Sequence, residues 1–136
     1  MVQRLKFYIN GTWQDPVSRK TLPVTNPANE EVLYEIALGS KADLDKAVAA
    51  ARRAFETFSL TKREERVDLL AKIIEVYKKR MKEIGGAISD EMGAPLGFAE
   101  RFQAGAGLGH LMTTLEVLKS YPFEERLGSE IGRAHV

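Results

Sequence analysis

Apolar residues change their spacing near residue 40, and the change divides the chain into a strand region and a helix region. In the first region they come in short clusters broken by turn formers. Phe7, Tyr8 and Ile9 precede Asn10-Gly11, and Thr12 and Trp13 follow. Asn-Gly suits the left-handed backbone of a type I′ turn, so this spacing predicts a β-hairpin. Gln14 to Lys20 is polar, carries Pro16 and reads as a loop. Thr21 to Thr25 is expected to be extended, with Pro23 favouring a sheet edge. Asn26-Pro27-Ala28-Asn29 is a turn. Val32, Tyr34, Ile36 and Leu38 then alternate with Leu33, Glu35 and Ala37, the period of a strand that is apolar on both faces. Strands are expected within residues 7–38.

From Ser40 the period becomes helical. Ser40-Lys41-Ala42-Asp43 has capping-box spacing, with the shorter Asp in the last place. Leu44, Ala47, Val48, Ala51, Ala54, Phe55 and Phe58 form one stripe of a helix over about 41–58. Thr61-Lys62-Arg63-Glu64 reads as a second capping box, opening a helix over about 62–92. In that helix Val67, Leu70, Ile74, Tyr77, Met81, Ile84 and Ile88 recur in steps of three and four, a seam like that of a coiled coil. The simpler reading is one long helix buried along one side within its own protein. Gly85-Gly86 weakens its far end by about 1 kcal/mol per glycine relative to alanine. Gly93 is placed to end it, and Pro95 suits the first turn of a third helix over about 95–120. Gly97, Gly105, Gly107 and Gly109 lie in this third helix, where close approach of a neighbouring element is the expected reason for them.

Composition narrows the chemistry. The 136 residues are 44% hydrophobic and 29% charged, with net charge +1. An ordinary soluble balance follows, with no single-sign field to attract nucleic acid or a membrane surface. Lys78, Lys79, Arg80 and Lys82 lie among Glu75 and Glu83 and read as a solvated helix face. There is no cysteine, which removes a disulfide, a thiolate nucleophile and a Cys-ligated zinc from consideration. His110 and His135 are the only histidines and have no metal-ligand spacing. The first residues lack the apolar core of a signal peptide, and the cytoplasm is the expected location. Asn10-Gly11-Thr12 matches a glycosylation triplet but reads as the hairpin turn.

Gly105-Ala106-Gly107-Leu108-Gly109-His110 invites a dinucleotide reading, yet His110 stands where the fingerprint needs a glycine, and the run falls inside a helical stretch. His110 reads as a packed or surface histidine, Trp13 as hairpin cover, and Glu124-Glu125 as solvated. Residue patterns alone stop at a strand-then-helix segment.

Several segments, in order, resemble the aldehyde dehydrogenase superfamily. Phe7-Tyr8-Ile9-Asn10-Gly11-Thr12-Trp13 resembles its opening motif, and Val24 to Val32 its Asn-Pro turn. Asp43 to Phe55 is similar to its first helix, Arg63 to Leu70 to the start of its second, and Glu91-Met92-Gly93-Ala94-Pro95 to the turn into its third. The resemblance extends to about Leu127. It implies an α/β parent fold with a Rossmann-type cofactor domain, of which residues 1–128 form the outer N-terminal part, mainly helical. It also implies oxidation of an aldehyde to a carboxylic acid with NAD or NADP. In the family a cysteine thiolate attacks the carbonyl, hydride passes to nicotinamide, and water hydrolyses the thioester. An asparagine and a backbone amide hold the oxyanion, and a glutamate helps activate the water.

The resemblance places all of those groups farther along than this chain reaches. No catalytic, cofactor-binding or metal-binding residue is therefore assigned, and the chain alone is expected to be inactive and cofactor-free. Some relatives hold a structural monovalent cation near the Asn-Pro turn. By position it would recruit the Thr25 carbonyl and Gln103, where the family often has an acid. Residues 129–136 depart from the pattern. Glu130 to Val136 resembles one reading frame of a sequencing-adapter oligonucleotide, so this tail is expected to be non-native, the alternative being the natural end of a short homologue. The expected partners are an aldehyde for the parent, which is taken as a homo-oligomer, and further copies for the self-associating fragment, with no nucleic acid and no membrane. The alternatives are a stand-alone helical interaction module, or a regulatory subunit pairing with a full-length relative.

Overall fold

Asn10 and Gly11 both take left-handed φ, 53° and 76°, as a type I′ turn requires. The computed structural model describes residues 4–125. Around this turn β1 (Phe7–Ile9) and β2 (Thr12–Gln14) pair antiparallel, Phe7 opposite Gln14 and Ile9 opposite Thr12. Tyr8 and Trp13 stand across from one another with ring centroids 5.2 Å apart. A second hairpin joins β3 (Thr21–Thr25) to β4 (Val32–Ala37), with Pro23 opposite Glu35. Its register shifts at Val24/Thr25, next to the Asn-Pro turn. There the Asn26 side chain accepts from Ala28 N–H at 2.8 Å, and Glu30, at φ 62°, donates its N–H to the Asn26 carbonyl at 2.8 Å.

Helix α1 (Lys41–Phe58) starts as its sequence dictates. The Asp43 carboxylate accepts from Ser40 N–H at 2.9 Å and from the Ser40 hydroxyl at 2.7 Å, and its other oxygen accepts from Val17 N–H at 2.9 Å. One buried acid thus caps the helix and ties down the preceding loop. These hydrogen bonds, the one from the Ser40 hydroxyl foremost, hold the Asp43 carboxyl below its ordinary pKa. A depressed folded-state pKa adds stability that is present above the unfolded value, about 3.9, and is lost as pH falls through the folded value. Asp43→Asn should therefore lower the urea midpoint at pH 7, and the gap to the parent should close as the pH falls through the folded-state pKa of Asp43. Circular dichroism at several pH values checks this; a gap that stays constant would rule out the carboxylate as its origin.

Helix α2 (Arg63–Met92) does not begin as expected. The N-cap is Lys62, whose N–H donates to Glu65 at 2.7 Å, so the acid that reaches back is one residue later than the Thr61 box requires. Thr61 is occupied elsewhere. Its hydroxyl donates to the Phe58 carbonyl at 2.6 Å and accepts from Arg66 Nε at 2.8 Å. Arg66 also donates to the Ser59 carbonyl at 3.0 Å, clamping the α1–α2 turn. The far end closes as the sequence indicates, with Gly93 at φ 69° and its N–H bonded to the Ser89 carbonyl. A Cβ on Gly93 would lie 2.9 Å from Pro27, so this glycine also admits the Asn-Pro turn.

The third helical stretch is not one regular helix. It comprises α3 (Leu96–Phe98), a π-helical turn (Ala99–Gln103) and α4 (Ala104–Ser120). Pro95 sits just outside it as the N-cap, with its carbonyl accepting from Phe98 and Ala99. The π turn lies where the chain crosses α2. An added Cβ on Gly85 would come within 2.7 Å of Glu100 Cα, and Ala99 and Ala104 are fully buried beside it. Farther along, Tyr77 donates its hydroxyl to the Ala104 carbonyl at 2.9 Å, and its ring fills the space a Cβ on Gly107 would need. Close approach thus accounts for Gly85 and Gly107, while Gly86, Gly97, Gly105 and Gly109 face nothing within 4 Å.

Adjacent glycines should therefore respond oppositely. Gly86→Ala removes the helix cost of glycine without a clash and should stabilise by about 1 kcal/mol. Gly85→Ala drives a Cβ into backbone that cannot rotate away and should destabilise by about 1–3 kcal/mol. Urea midpoints of the two variants decide it, and movement in the same direction would refute the crossing at Gly85.

The expected seam of α2, from Val67 to Ile88, is the face turned inward, and Ile74 is its best-buried member. Tyr34 of β4 donates to Glu91 near the end of α2, and Arg4 lies 3.8 Å over the Tyr34 ring. The bond to Glu91 raises the Tyr34 pKa. The apolar stripe expected on α1 is not covered: of its 18 residues only Asp43 and Ala50 are buried. The inner side of this helix rests on the first hairpin, with Lys46, Ala49, Ala50 and Arg53 around Ile9, Asn10 and Gln14. Among the described residues no large side chain is fully buried.

Candidate functional site

Dinucleotide sites need a strand leading into a helix whose free N–H groups meet phosphate. In the described part of the chain, the β4–α1 junction has that connectivity. Its N-terminus is already filled by the Asp43 carboxylate, whose negative charge opposes a phosphate at the same place. The glycine run lies within α4, with Gly107 covered by Tyr77 and Gly105 and Gly109 on open sides. These residues do not fit a pyrophosphate cradle.

Nor do the remaining candidates assemble a site. His110 is exposed, and its carbonyl accepts from the Thr114 hydroxyl at 2.8 Å. Gln103 ends the π turn with Oε1 buried and without a hydrogen-bond partner, while Thr25 pairs with Val32. Gln103 Oε1 and the Thr25 carbonyl are two neutral oxygens, fewer than the several a hard cation takes, so these two residues do not by themselves make its site. Among the described residues no group of three or more His, Cys, Asp or Glu is placed to hold a metal. Ser40 and Asp43 touch, but a carboxyl held in its ionised form by three donors is a poor base. Glu124 and Glu125 are exposed. Lys78 pairs with Glu75 and Arg80 with Glu83 on the outside of α2, at 2.9 and 2.6 Å. Lys79 and Lys82 border an open groove of 970 Å³ with Arg101, Glu100 and the tilted ring pair Phe98–Phe102. The tail at 129–136 and His135 lie outside the described residues. Composition gave no sign of the π turn or of the orphaned Gln103 oxygen; of the close approaches expected at Gly97, Gly105, Gly107 and Gly109 only that at Gly107 is present, and the tightest crossing is at Gly85.

Two small hairpins and a helical layer with uncovered apolar faces define one side of a larger α/β fold. Residues 13–130 match the aldehyde dehydrogenase family, and the chain belongs to it. It is 46% identical over 126 residues to a Staphylococcus aureus protein assigned to the aldehyde dehydrogenases, covering 93% of this chain and 26% of that one. The Bartonella henselae aldehyde dehydrogenase superposes with a TM-score of 0.90 at 40% identity, over 95% of this chain and 27% of the other. Aldehyde dehydrogenase C of Pseudomonas syringae, solved as a mutant with NAD+ and octanal, superposes at 0.89 with 41% identity, over 92% and 26%. The chain thus spans about a quarter of the length of the relatives it matches. No helix among the described residues is long and apolar enough to cross a membrane.

Proposed function

We propose that this chain is the N-terminal scaffold of an NAD(P)-dependent aldehyde dehydrogenase, with residues 1–128 forming the outer part of its cofactor domain and residues 129–136 foreign to it. Its helices form a layer against which the catalytic and cofactor-binding parts assemble, and it supplies neither the nucleophile nor the phosphate cradle. NAD or NADP binds in the remaining part, where the aldehyde is oxidised to the acid and where oligomers form. The observation that carries this is the backbone match to full-length aldehyde dehydrogenases at TM-scores near 0.9, combined with a sequence that has no cysteine. A chimera tests it. Residues 1–128 replace the matching segment of the Staphylococcus aureus relative, whose own remainder follows. The chimera should reduce NAD or NADP with an aldehyde at a rate close to that of the parent relative; a folded chimera without activity would reject the scaffold role.

A further inference from the structure

The sequence has three asparagines, and the fold treats them differently. Asn26 precedes Pro27, which has no N–H, and its side chain accepts from Ala28 N–H at 2.8 Å. Asn29 is held at both ends of its carboxamide: Nδ2 donates to the Glu31 carboxylate at 2.9 Å, and Oδ1 accepts from Glu31 N–H at 3.1 Å. The nitrogen that follows it, on Glu30, is engaged with the Asn26 carbonyl at 2.8 Å. Asn10 instead sits at the exposed tip of the first hairpin. Among the described residues neither its carboxamide nor the Gly11 N–H has a hydrogen-bond partner, and the space where a Gly11 side chain would stand is open.

We propose that Asn10 is a site of spontaneous modification, where the chain converts asparagine to aspartate and isoaspartate without an enzyme. The Gly11 nitrogen, its proton passed to hydroxide, bonds to Asn10 Cγ. The Cγ–Nδ2 bond breaks, the amide leaves as ammonia after taking a proton from water, and a cyclic imide remains. Water then opens either imide carbonyl, so one water is consumed and one ammonia released. Ring closure swings the carboxamide carbon onto that nitrogen by rotation about the Asn10 Cα–C bond, which the type I′ turn at φ 53° opposes. Opening the hairpin removes this constraint at little cost, because β1 and β2 have three residues each and form a two-stranded sheet of their own. The two products act differently. Aspartate keeps an Asp-Gly turn and puts a carboxylate at the hollow that Asn10 lines with Lys46 and Arg53 of α1. Isoaspartate threads the main chain through Cβ and Cγ, and the added atom breaks the Phe7–Gln14 register.

The test incubates the full purified chain in mildly alkaline buffer and maps its peptides by chromatography and mass spectrometry. Residue 10 should gain one mass unit and split into two isomers, while Asn26 and Asn29 stay intact. Trp13→Ala removes the ring that faces Tyr8 across the hairpin, so it should speed the conversion by up to about fivefold through easier opening, and Tyr8→Ala should do the same. Asn10→Asp, the first product made genetically, should keep the near-ultraviolet dichroism of Trp13, which the separated isoaspartate form should lose. Residue 10 left unchanged over a period in which a free peptide of residues 7–14 converts would overturn the proposal, as would equal conversion at Asn29. Conversion no faster in either ring variant would overturn the opening step.

Discussion

Purified by itself, the chain should form no NADH or NADPH from any aldehyde. Oxidising an aldehyde to an acid through a covalent intermediate needs a nucleophile ionised near neutral pH, and thiolates meet that need because their pKa lies near 8.5. The sequence has no cysteine. Serine and threonine need an adjacent base. Ser40, the hydroxyl joined to an acid, uses that acid as a helix cap, and hydrogen bonds hold its carboxyl below the ordinary pKa. Hydride transfer also needs nicotinamide held beside the carbonyl carbon, and the strand-to-helix junction with the connectivity of a phosphate site is filled by Asp43. The loss should be complete rather than partial, because nucleophile and cofactor cradle fail together. Absorbance at the nicotinamide band, with NAD and NADP and a panel of aliphatic and aromatic aldehydes, measures it. Turnover above a buffer control that survives repurification would contradict the scaffold role.

Local chemistry made most elements legible in the sequence. Asn10-Gly11 fixes a turn that few other dipeptides accept, Ser40 and Asp43 fix a helix start, and Gly93 fixes a helix end, each within a few residues of chain. The Val67–Ile88 seam was legible because a helix buried on one side must repeat its apolar residues. Contacts between distant residues were not. Thr61 misleads for another reason: its hydroxyl is held by the Phe58 carbonyl and Arg66, three and five residues away, a choice among local partners that spacing leaves open. The π turn answers to the crossing of Gly85 with Glu100, 15 residues away in sequence, and no local propensity encodes that. At the candidate site, the sequence context put the glycine run inside a helix, and the structure places it in α4 with Gly107 under Tyr77. The orphaned Gln103 oxygen follows from burial, which the sequence pattern leaves open at a single glutamine.

The isolated chain should be helical yet melt over a broad range, bind hydrophobic dyes and self-associate. Helix content has its own support, since α2 and α4 pack through Tyr77, Ala104 and Gly107 and α2 keeps its caps at Lys62 and Gly93. Cooperativity has less, because α1 buries only Asp43 and Ala50, and Phe55 and Leu60 remain 69% and 82% exposed. A large apolar side chain left in water forgoes about 1.5–3 kcal/mol of burial. Four such residues, Leu44, Phe55, Leu60 and Val76, forgo an amount comparable with the whole stability of a domain, about 5–15 kcal/mol. Without that contribution α1 and the first hairpin should open at lower temperature than the α2–α4 pair, so the transitions do not coincide. Their exposed faces also offer continuous apolar surface to dyes and to other copies. Far-ultraviolet dichroism should show a shallow loss of helix, near-ultraviolet dichroism an earlier change at Trp13, and light scattering a mass that rises with concentration. A single sharp transition, seen alike by both dichroism probes from a chain that stays monomeric, would instead support a self-sufficient helical module.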